Sequence, residues 1–265
     1  MVLSQAQPEI ADSLAATRAV IWHDLECGAY RADMALWREL AEDARERHPP
    51  GRILDVGAGS GRVSLELARG GAEVTALDID PALLGALSER AGGGAIETVS
   101  GDARDFALER RDFALCLAPM QTIQLLGGPE GRIAFLRCAR SHLRPGGLLA
   151  CAIVTELDPF DCTVAGPGPS PETARIDGVL YVSRAVRVQL TRQRVRIERE
   201  RSVIPAEQRE PTLEPSWERN LIELDRLNAA RLRREGRAAG LQPAGTRTIA
   251  ATDEHVGSLV VIFRA

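Results

Sequence analysis

Lysine is absent from this chain of 265 residues, so all 33 basic side chains are arginines. The chain therefore offers no amine for Schiff-base chemistry or for a lysine general base. Its 37 acidic residues outnumber the basic ones and leave a formal net charge of −4 at pH 7. This balance does not favour a nucleic-acid partner, which bulk positive charge would attract.

Cysteine occurs at only five scattered positions, and no pair has the C-x-x-C spacing of a metal or redox motif. The sequence therefore predicts neither a zinc site nor a disulfide framework. Cys116 and Cys151 fall inside predicted strands, where cysteine behaves as a small buried hydrophobe. No carboxylate pair follows the fourth predicted strand, and Glu156 with Asp158, after the fifth, is only weak evidence for a metal site, so we expect no metal.

Long apolar runs are also missing from the chain. No stretch approaches membrane-spanning length, and the N-terminus lacks the basic-then-apolar pattern of a signal peptide. We expect a cytoplasmic protein with no membrane partner. With 45% hydrophobic residues, the chain can build a full α/β domain with an elaboration, or two small domains.

The most informative stretch runs from residue 53 to residue 68. A short apolar run predicts a buried parallel strand, which breaks at Gly57, Gly59 and Gly61 before a predicted helix. A strand, a glycine turn and a helix form the first βα unit of nucleotide-binding sheets. Glycines keep the turn tight and let a ligand approach bare backbone, while the helix N-terminus points unpaired N–H groups at that ligand.

The glycine spacing distinguishes between ligand classes. The dinucleotide fingerprint G-x-G-x-x-G would need a glycine at position 62, where this chain has Arg62. The P-loop is also absent, because no Gly-Lys-Ser/Thr follows. The run D-V-G-A-G-S-G at residues 55–61 resembles motif I of the class I S-adenosylmethionine (SAM) dependent methyltransferases. On this motif alone, a tight strand–helix turn without a ligand stays open.

Two acidic residues follow the next predicted strands. Asp78 ends a strand over residues 72–78, about 20 positions after the first glycine, where nucleotide folds place a carboxylate on the ribose hydroxyls. Two vicinal hydroxyl donors suit one acceptor with two oxygens. Asp80 precedes Pro81 and has the pattern of a helix N-cap, so we assign it a structural role.

The resemblance implies the remaining contacts of a SAM site. A third strand over 95–99 precedes Asp102 and Ala103, which would bind the adenine edge, and Ile79 would lie against the adenine face. The implied cofactor-binding residues are Tyr30, Asp55, Gly57, Ala58, Gly59, Asp78, Ile79, Asp102, Ala103 and Ala118.

Tyr30 enters this set through the N-terminal segment, where apolar periodicity predicts two helices. Many small-molecule methyltransferases that the chain resembles carry a helical segment there, with an aromatic residue that reaches the methionine end of the cofactor. Tyr30 is our candidate for that contact, with Trp22 and His23 nearby. The alternative for Tyr30 is an ordinary aromatic anchor of the core.

The segment after the fourth predicted strand, at 112–118, would face the substrate. It has Ala-Pro-Met-Gln where amino-methyltransferases of nucleic-acid bases often have Asn/Asp-Pro-Pro-aromatic, which argues against base methylation. Met120, Gln121 and Gln124 are candidate substrate contacts. The two glutamines are equally well explained as exposed residues at the start of a helix.

A predicted β-hairpin over residues 179–204 interrupts the pattern of the sheet. Some small-molecule N- and O-methyltransferases carry such an insert as a lid over the substrate. Its many arginines indicate either a surface for acidic substrates or RNA, or, as we prefer, the solvated face of an edge hairpin. It lacks the interleaved aromatics that base stacking uses.

The chain closes with a helix ending at Gly240 and a hairpin over residues 246–263. In the methyltransferase topology the last strand is antiparallel and begins at the active-site edge. His255 would lie at that edge, which makes it the candidate for substrate contact or general-base work. The alternative is a histidine in a surface turn.

Taken together, the sequence predicts an α/β fold with an open, mostly parallel Rossmann-like sheet. We expect an antiparallel last strand, N-terminal helices and an inserted antiparallel β lid. The expected units are an N-terminal helical cap at 1–48, a SAM-binding core at 49–157, a lid at 158–217, and the C-terminal helix and closing strands at 218–265.

The resemblance implies an enzyme that transfers a methyl group from SAM to an oxygen or nitrogen nucleophile of a small molecule. One alternative is a SAM-binding regulatory or scaffold protein without transferase activity. A second, with less support, is an NAD-type oxidoreductase. We expect a small-molecule substrate and no nucleic-acid partner, and leave a homodimer open.

Overall fold

The computed structural model of the protein describes residues 6–94, 96–164, 168–205, 216–253 and 255–265, with side chains from residue 14 onward. Within these ranges the chain forms a seven-stranded sheet flanked by helices, and a separate antiparallel sheet of five strands.

Two helices precede the sheets, α1 (Ala6–Cys27) and α2 (Met34–Arg47). Apolar periodicity predicts both, and the structure confirms them. In α2, Trp37, Leu40 and Ala44 are buried on one stripe, because residues three and four apart share one face of a helix.

Strands and helices then alternate, as in a parallel α/β unit. They are β1 (Ile53–Val56), α3 (Arg62–Arg69), β2 (Val74–Asp78), α4 (Pro81–Ala91), β3 (Ile96–Ser100), β4 (Phe113–Ala118), a 3-10 helix (Thr122–Leu125), α5 (Pro129–His142) and β5 (Leu143–Ile153). Every residue of β1 and of β4 is buried. Their near-continuous apolar runs are what a parallel strand covered on both faces requires.

The second sheet follows β5 in the chain. Its strands are β6 (Phe160–Asp161), β7 (Glu172–Ile176), β8 (Val179–Leu190), β9 (Arg194–Ile204) and β10 (Glu218–Asp225). The pair β8–β9 is the predicted hairpin, which the structure confirms. The expected boundary at residue 217 is corrected, because β10 pairs with β9 along its whole length and extends this sheet to Asp225.

The chain returns to the first sheet through α6 (Ala229–Ala238), β11 (Gln242–Ile249) and β12 (Ser258–Arg264). The strand order is β11-β12-β5-β4-β1-β2-β3. Strands β1 to β5 are parallel and β12 runs antiparallel to β5, which confirms the predicted fold class. The order reverses between β1 and β4, and open α/β sheets bind ligands in the crevice at such a point.

Helices cover both faces of this sheet, and alternate strand residues supply the two cores. Leu54 and Cys116 pack with α5 and α6 on one face. Ile53 and Leu115 pack with α2 and α3 on the other face. The sheet is therefore rigid up to its carboxyl edge, where the loops after β1, β2 and β4 emerge.

Candidate active site

A cavity of about 540 Å³ opens at the carboxyl edge of the parallel sheet, where α1 and the second sheet complete its walls. Most of the predicted site residues lie on its wall, namely Asp55, Gly57, Ala58, Asp78, Ile79, Asp102, Ala103, Met120 and Gln121. Tyr30, Gly59, Ala118, Gln124 and His255 do not line it. Ala118 is fully buried at the end of β4.

Asp78 ends β2 with its carboxylate fixed at the cavity. Oδ2 accepts a hydrogen bond from the Gly59 amide at 2.8 Å, and Oδ1 accepts one from the Asp80 amide at 2.9 Å. Each oxygen keeps a lone pair for a ligand donor. Asp80 itself caps α4 by accepting from the amides of Ala82 and Leu83, which confirms its predicted structural role.

Asp55 is completely buried in β1 and reaches the cavity wall. The Ser64 hydroxyl donates to Oδ2 at 2.6 Å, whereas Oδ1 has no hydrogen-bond partner among the described residues. Burial raises the pKa of Asp55 to about 6. An unpaired buried acceptor costs about 1–3 kcal/mol, so this side chain suits a ligand that brings a donor or a positive charge to Oδ1.

The loops after β2 and β3 bring an apolar side chain, Ile79, and a carboxylate, Asp102, to the cavity wall. Ile79 lies on the cavity wall and is 68% exposed, so its apolar side chain is accessible to a ligand. Asp102 accepts three kinds of donor from Arg104, namely its amide, Nε and Nη2, at 2.5–3.1 Å. The Arg104 side chain holds the pKa of Asp102 below its ordinary range. A ligand would therefore share this carboxylate with Arg104.

The three glycines of the loop after β1 all have positive φ angles, of 73°, 56° and 96°. A Cβ atom at Gly57 would lie 2.5 Å from Thr122 Oγ1, and one at Gly59 would lie 2.4 Å from His23 Nε2. A Cβ atom at Gly61 would collide with a leucine of α4. Protein neighbours, as well as backbone conformation, thus require glycine here. Only Gly57 of the three lies on the cavity wall.

The loop after β4 brings Met120 and Gln121 onto the wall. Met120 has a φ of 52°, which is unusual for a residue with a long side chain. Strained backbone of this kind persists where the surroundings hold it in place, and it is frequent at functional sites. The Thr122 hydroxyl donates to the Pro119 carbonyl at 2.9 Å and closes the turn.

The structure corrects the prediction for Gln124, which is 1% exposed and turned away from the cavity. Its Nε2 donates to the carbonyls of Val154 and Asp225 at 3.1 and 2.9 Å, and its Oε1 accepts from the Val154 amide at 2.7 Å. Both amide protons are thus used inside the protein, and the buried side chain is not presented to a substrate. Neither predicted alternative, a substrate contact or an exposed residue, describes it.

Tyr30 and His255 are also corrected, because they pack together behind the wall, with ring centroids 5.0 Å apart. The Arg62 guanidinium lies over the Tyr30 ring at 5.2 Å and separates it from the cavity. Tyr30 is 7% exposed and bonds to Ser258. It serves as the core anchor that was its alternative role. His255 does not reach the cavity and lies half-buried in a turn, where its amide donates to Thr252 Oγ1 at 3.0 Å and its carbonyl accepts from the Thr252 amide at 2.8 Å. This agrees with the alternative expected for it, a histidine in a surface turn.

Helix α1 supplies wall residues that the sequence did not single out as site residues, namely His23, Glu26 and Cys27. Their spacing of three and four puts them on one helical face, and this was the one signal available. Burial raises the pKa of the Cys27 thiol to about 11, so it is no thiolate.

Glu26 is buried where α1 meets the second sheet. The Ser183 hydroxyl and Arg201 Nε each donate to Oε1 at 2.7 Å, and Arg201 Nη2 donates to Oε2 at 2.7 Å. Burial favours the neutral acid, but the bonds from Arg201 and Ser183 prevail and lower the pKa of Glu26. Glu26 is therefore ionised, and it joins α1 to the lid.

The second sheet contributes Ile197, Arg199, Ile222 and Leu224 to the wall. These residues come from β9 and β10, and no sequence motif marks them. They form an apolar surface with one guanidinium, opposite the loop after β4. The sheet therefore has the position of the lid that the sequence predicts.

Ion pairs account for most of the arginines of the hairpin, as expected for a solvated sheet face. The pairs are Arg184–Glu200, Arg187–Asp161, Arg187–Glu198, Arg194–Asp225, Arg196–Glu223, Arg199–Glu26, Arg199–Glu172 and Arg201–Glu26. Their positive charges are thus balanced locally.

Within the described ranges, no three His, Cys, Asp or Glu side chains come together in a way that could hold a metal ion. The helices of the same residues include none with the length and apolar character needed to cross a bilayer.

Comparison with known proteins concerns above all the sheet edge of this site. Residues 53–147 match the family model described as a methyltransferase domain. The cypemycin N-terminal methyltransferase of a Streptomyces species is 34% identical over 114 residues, which is 43% of this chain and 45% of that protein. The ubiquinone biosynthesis O-methyltransferase of Xanthomonas campestris is 32% identical over 108 residues, 40% of this chain and 44% of that protein. The chain thus spans about half the length of these curated relatives.

A solved structure extends the likeness to nearly the whole fold. The SAM-bound amino pentose methyltransferase from Micromonospora echinaspora, involved in calicheamicin biosynthesis, superposes with a TM-score of 0.67. The match covers 92% of this chain and 97% of that one, at 20% sequence identity. It shows the same fold, including the second sheet.

Proposed function

We propose that this chain, whose residues 53–147 form a methyltransferase domain of the class I, Rossmann-like fold, transfers a methyl group from SAM to a small molecule. The acceptor atom is an oxygen or a nitrogen. One observation supports this proposal above the others. A single cavity joins Asp55 and Asp78 at the sheet edge to an apolar wall on the second sheet.

The residues of the sheet edge fit the cofactor. Asp78 keeps a lone pair on each oxygen, so either oxygen can accept from a ribose hydroxyl, and Asp55 Oδ1 lacks a partner that an ammonium group would supply. Ile79 exposes an apolar surface for the adenine ring, beside Asp102 and Ala103. Bound SAM supplies an electrophilic methyl group on its sulfonium.

The lid side of the cavity holds the acceptor in this proposal. Ile197, Ile222 and Leu224 give it an apolar wall, and Glu26 with Arg199 adds polar groups. The work of these residues is to orient the nucleophile toward the methyl group and to exclude water. A general base is required only for a nucleophile that arrives protonated.

The walls that α1, the sheet edge and the second sheet give to the cavity support a small-molecule acceptor. The balanced charge of the hairpin supports the absence of a nucleic-acid partner. The homodimer and the cytoplasmic location stay predictions from the sequence.

Calorimetric titration of the purified chain tests the cofactor. SAM and S-adenosylhomocysteine (SAH) should bind, and NADH should not. Asp78→Ala should weaken SAH binding about 10- to 100-fold, the usual effect of losing hydrogen bonds to a charged group. Asp43→Ala is the matched control, because this carboxylate is 41% exposed on α2, away from the cavity wall, and pairs with Arg47. NADH binding in place of SAH would mean a dinucleotide site.

Turnover needs a second measurement, namely SAH formation from SAM with a panel of small amines and alcohols. SAH production that depends on one acceptor supports the enzyme. SAM binding without SAH production from any acceptor would favour the regulatory or scaffold alternative.

A further inference from the structure

His23 lies on the cavity wall, on the last turns of α1. Its ring packs against Gly59, so that a Cβ atom there would lie 2.4 Å from Nε2 and 2.5 Å from Cε1. The Gly59 amide donates to Asp78 Oδ2 on the neighbouring strand end. His23 and Asp78 thus approach the same short piece of backbone, and both border the cavity.

The other ring nitrogen of His23 is held by a chain of two hydrogen bonds. His23 Nδ1 lies 3.0 Å from Ser60 Oγ, and the Ser60 hydroxyl donates to Asp24 Oδ1 at 2.5 Å. Arg90 also donates to both carboxylate oxygens of Asp24, at 3.2 and 2.5 Å. Burial by itself would raise the pKa of Asp24, but the hydrogen bonds from His23, Arg90 and Ser60 outweigh it and hold this pKa far below its ordinary range.

These contacts determine which nitrogen of neutral His23 carries the proton. An ionised carboxylate can only accept, so Ser60 must donate its single proton to Asp24. Ser60 Oγ then accepts from His23, which requires a proton on Nδ1. A neutral imidazole has one N–H, so Nε2 presents a lone pair. No hydrogen bond to Nε2 occurs among the residues that the structure describes.

We propose that His23 is a cofactor-binding residue whose Nε2, kept as an acceptor by Ser60 and Asp24, takes a hydrogen bond from a ribose hydroxyl of the cofactor. The inference rests on the SAM site proposed above and adds a second acceptor to Asp78. A ribose diol brings only two O–H donors, so in this arrangement Asp78 accepts from one hydroxyl and His23 Nε2 accepts from the other. Helix α1 thus binds the cofactor directly, as well as covering it.

Two substitutions separate the nitrogens of His23. His23→Asn places an amide near Nδ1, which can still donate to Ser60, but leaves nothing at Nε2. His23→Gln places an amide near Nε2, whose oxygen can accept. SAH titrated into the full chain should bind about tenfold more weakly to His23→Asn, the effect of one lost hydrogen bond. Binding to His23→Gln should stay within about threefold of the wild type.

The matched control is His255→Asn, the same substitution at a histidine that does not line the cavity. Its SAH affinity should stay within about twofold of the wild type. If the wild type binds SAH and His23→Asn binds it equally well, this inference is overturned and the proposed function stands. An equal loss in His23→Gln and His23→Asn also overturns it. Failure of the wild type to bind SAH overturns the proposed function together with this inference.

The proton position has its own readout, which needs no ligand. Nitrogen-15 NMR of histidine-labelled protein at pH 8, where imidazoles are neutral, should show His23 with a proton on Nδ1 and a bare Nε2. The His23→Asn spectrum identifies the signal. Ser60→Ala should move it toward a mixture of both tautomers. A proton on Nε2 in the wild type would contradict the proposal.

Discussion

The carboxyl group of Asp55 is completely buried, and only one of its oxygens is hydrogen-bonded among the described residues. Ser64 donates to Oδ2, and Oδ1 has no hydrogen-bond partner among these residues. Burial raises the pKa of Asp55 to about 6, above the value of about 4 in an unfolded chain. The folded state therefore binds this proton more tightly than the unfolded state. The stability contributed by Asp55 is fully present below about pH 4 and is lost as the pH rises through about 6.

Replacing Asp55 by Asn should remove this pH dependence, because the amide does not ionise and its oxygen can still accept from Ser64. The stability of Asp55→Asn relative to wild type should rise by about 1 kcal/mol between pH 5 and pH 7. Urea unfolding of the ligand-free protein at the two pH values measures it. Asp112→Asn, an exposed carboxylate, serves as the control. An equal difference at both pH values would contradict the raised pKa.

Among the structural elements, the 3-10 helix after β4 couples the cavity to the lid. The side chain of Gln124, on this element, forms hydrogen bonds both with the backbone of Val154, just after β5, and with that of Asp225, at the end of β10. The Asp225 carboxylate accepts from Arg132, which also forms an ion pair with Glu235. The lid strand, the parallel sheet and two helices thus meet in one buried polar network, and the loop carrying Met120 is fixed beside it.

Gln124→Ala should therefore destabilise the protein by about 2–4 kcal/mol, because it leaves buried backbone groups of two elements unpaired. Its neighbour Gln121 is the matched control. That side chain lies on the cavity wall, and Gln121→Ala should change stability by less than about 0.5 kcal/mol. Denaturant unfolding of both variants measures the difference. Equal stabilities would show that the Gln124 network contributes nothing.

At the scale of the whole molecule, one cavity lies between two sheets, and α1 joins them. Glu26 bonds to Ser183 and Arg201 of the second sheet, and Asp24 bonds to Ser60 in the loop after β1 and to Arg90 of α4, which packs on the first sheet. A ligand that fills the cavity touches all three parts. Its binding energy should therefore stabilise the molecule as one unit.

SAH at 100 times its dissociation constant should raise the free energy of unfolding by about 2.7 kcal/mol. Amide hydrogen exchange should slow in α1, in the loop after β1 and in β9 together. Strand β11 (Gln242–Ile249), at the outer edge of the first sheet and without a residue on the cavity wall, is the internal control and should change little. Slowing confined to the parallel sheet would contradict a shared site.

Much of the cofactor side of the site could be predicted, because its signals are local. The glycine turn, Asp78 at a strand end and the Asp80 cap each depend on neighbours within a few residues along the chain. The hairpin of β8 and β9 also follows from alternation and a short turn. The sequence did not predict the direction in which individual side chains point. Gln121 and Gln124 are three residues apart, yet one reaches the cavity and the other is buried.

By itself, the sequence determined the alternation of strands and helices up to β5, the fold class and the acid that ends β2. Only the tertiary structure decided that His23 borders the cavity and His255 does not, and that β10 belongs to the lid. The contacts responsible join distant residues, such as His23 with Ser60 across 37 positions and Glu26 with Ser183 across 157. A helix or strand signals its apolar face by local periodicity, but which polar side chains meet there depends on the packing of elements far apart in the chain.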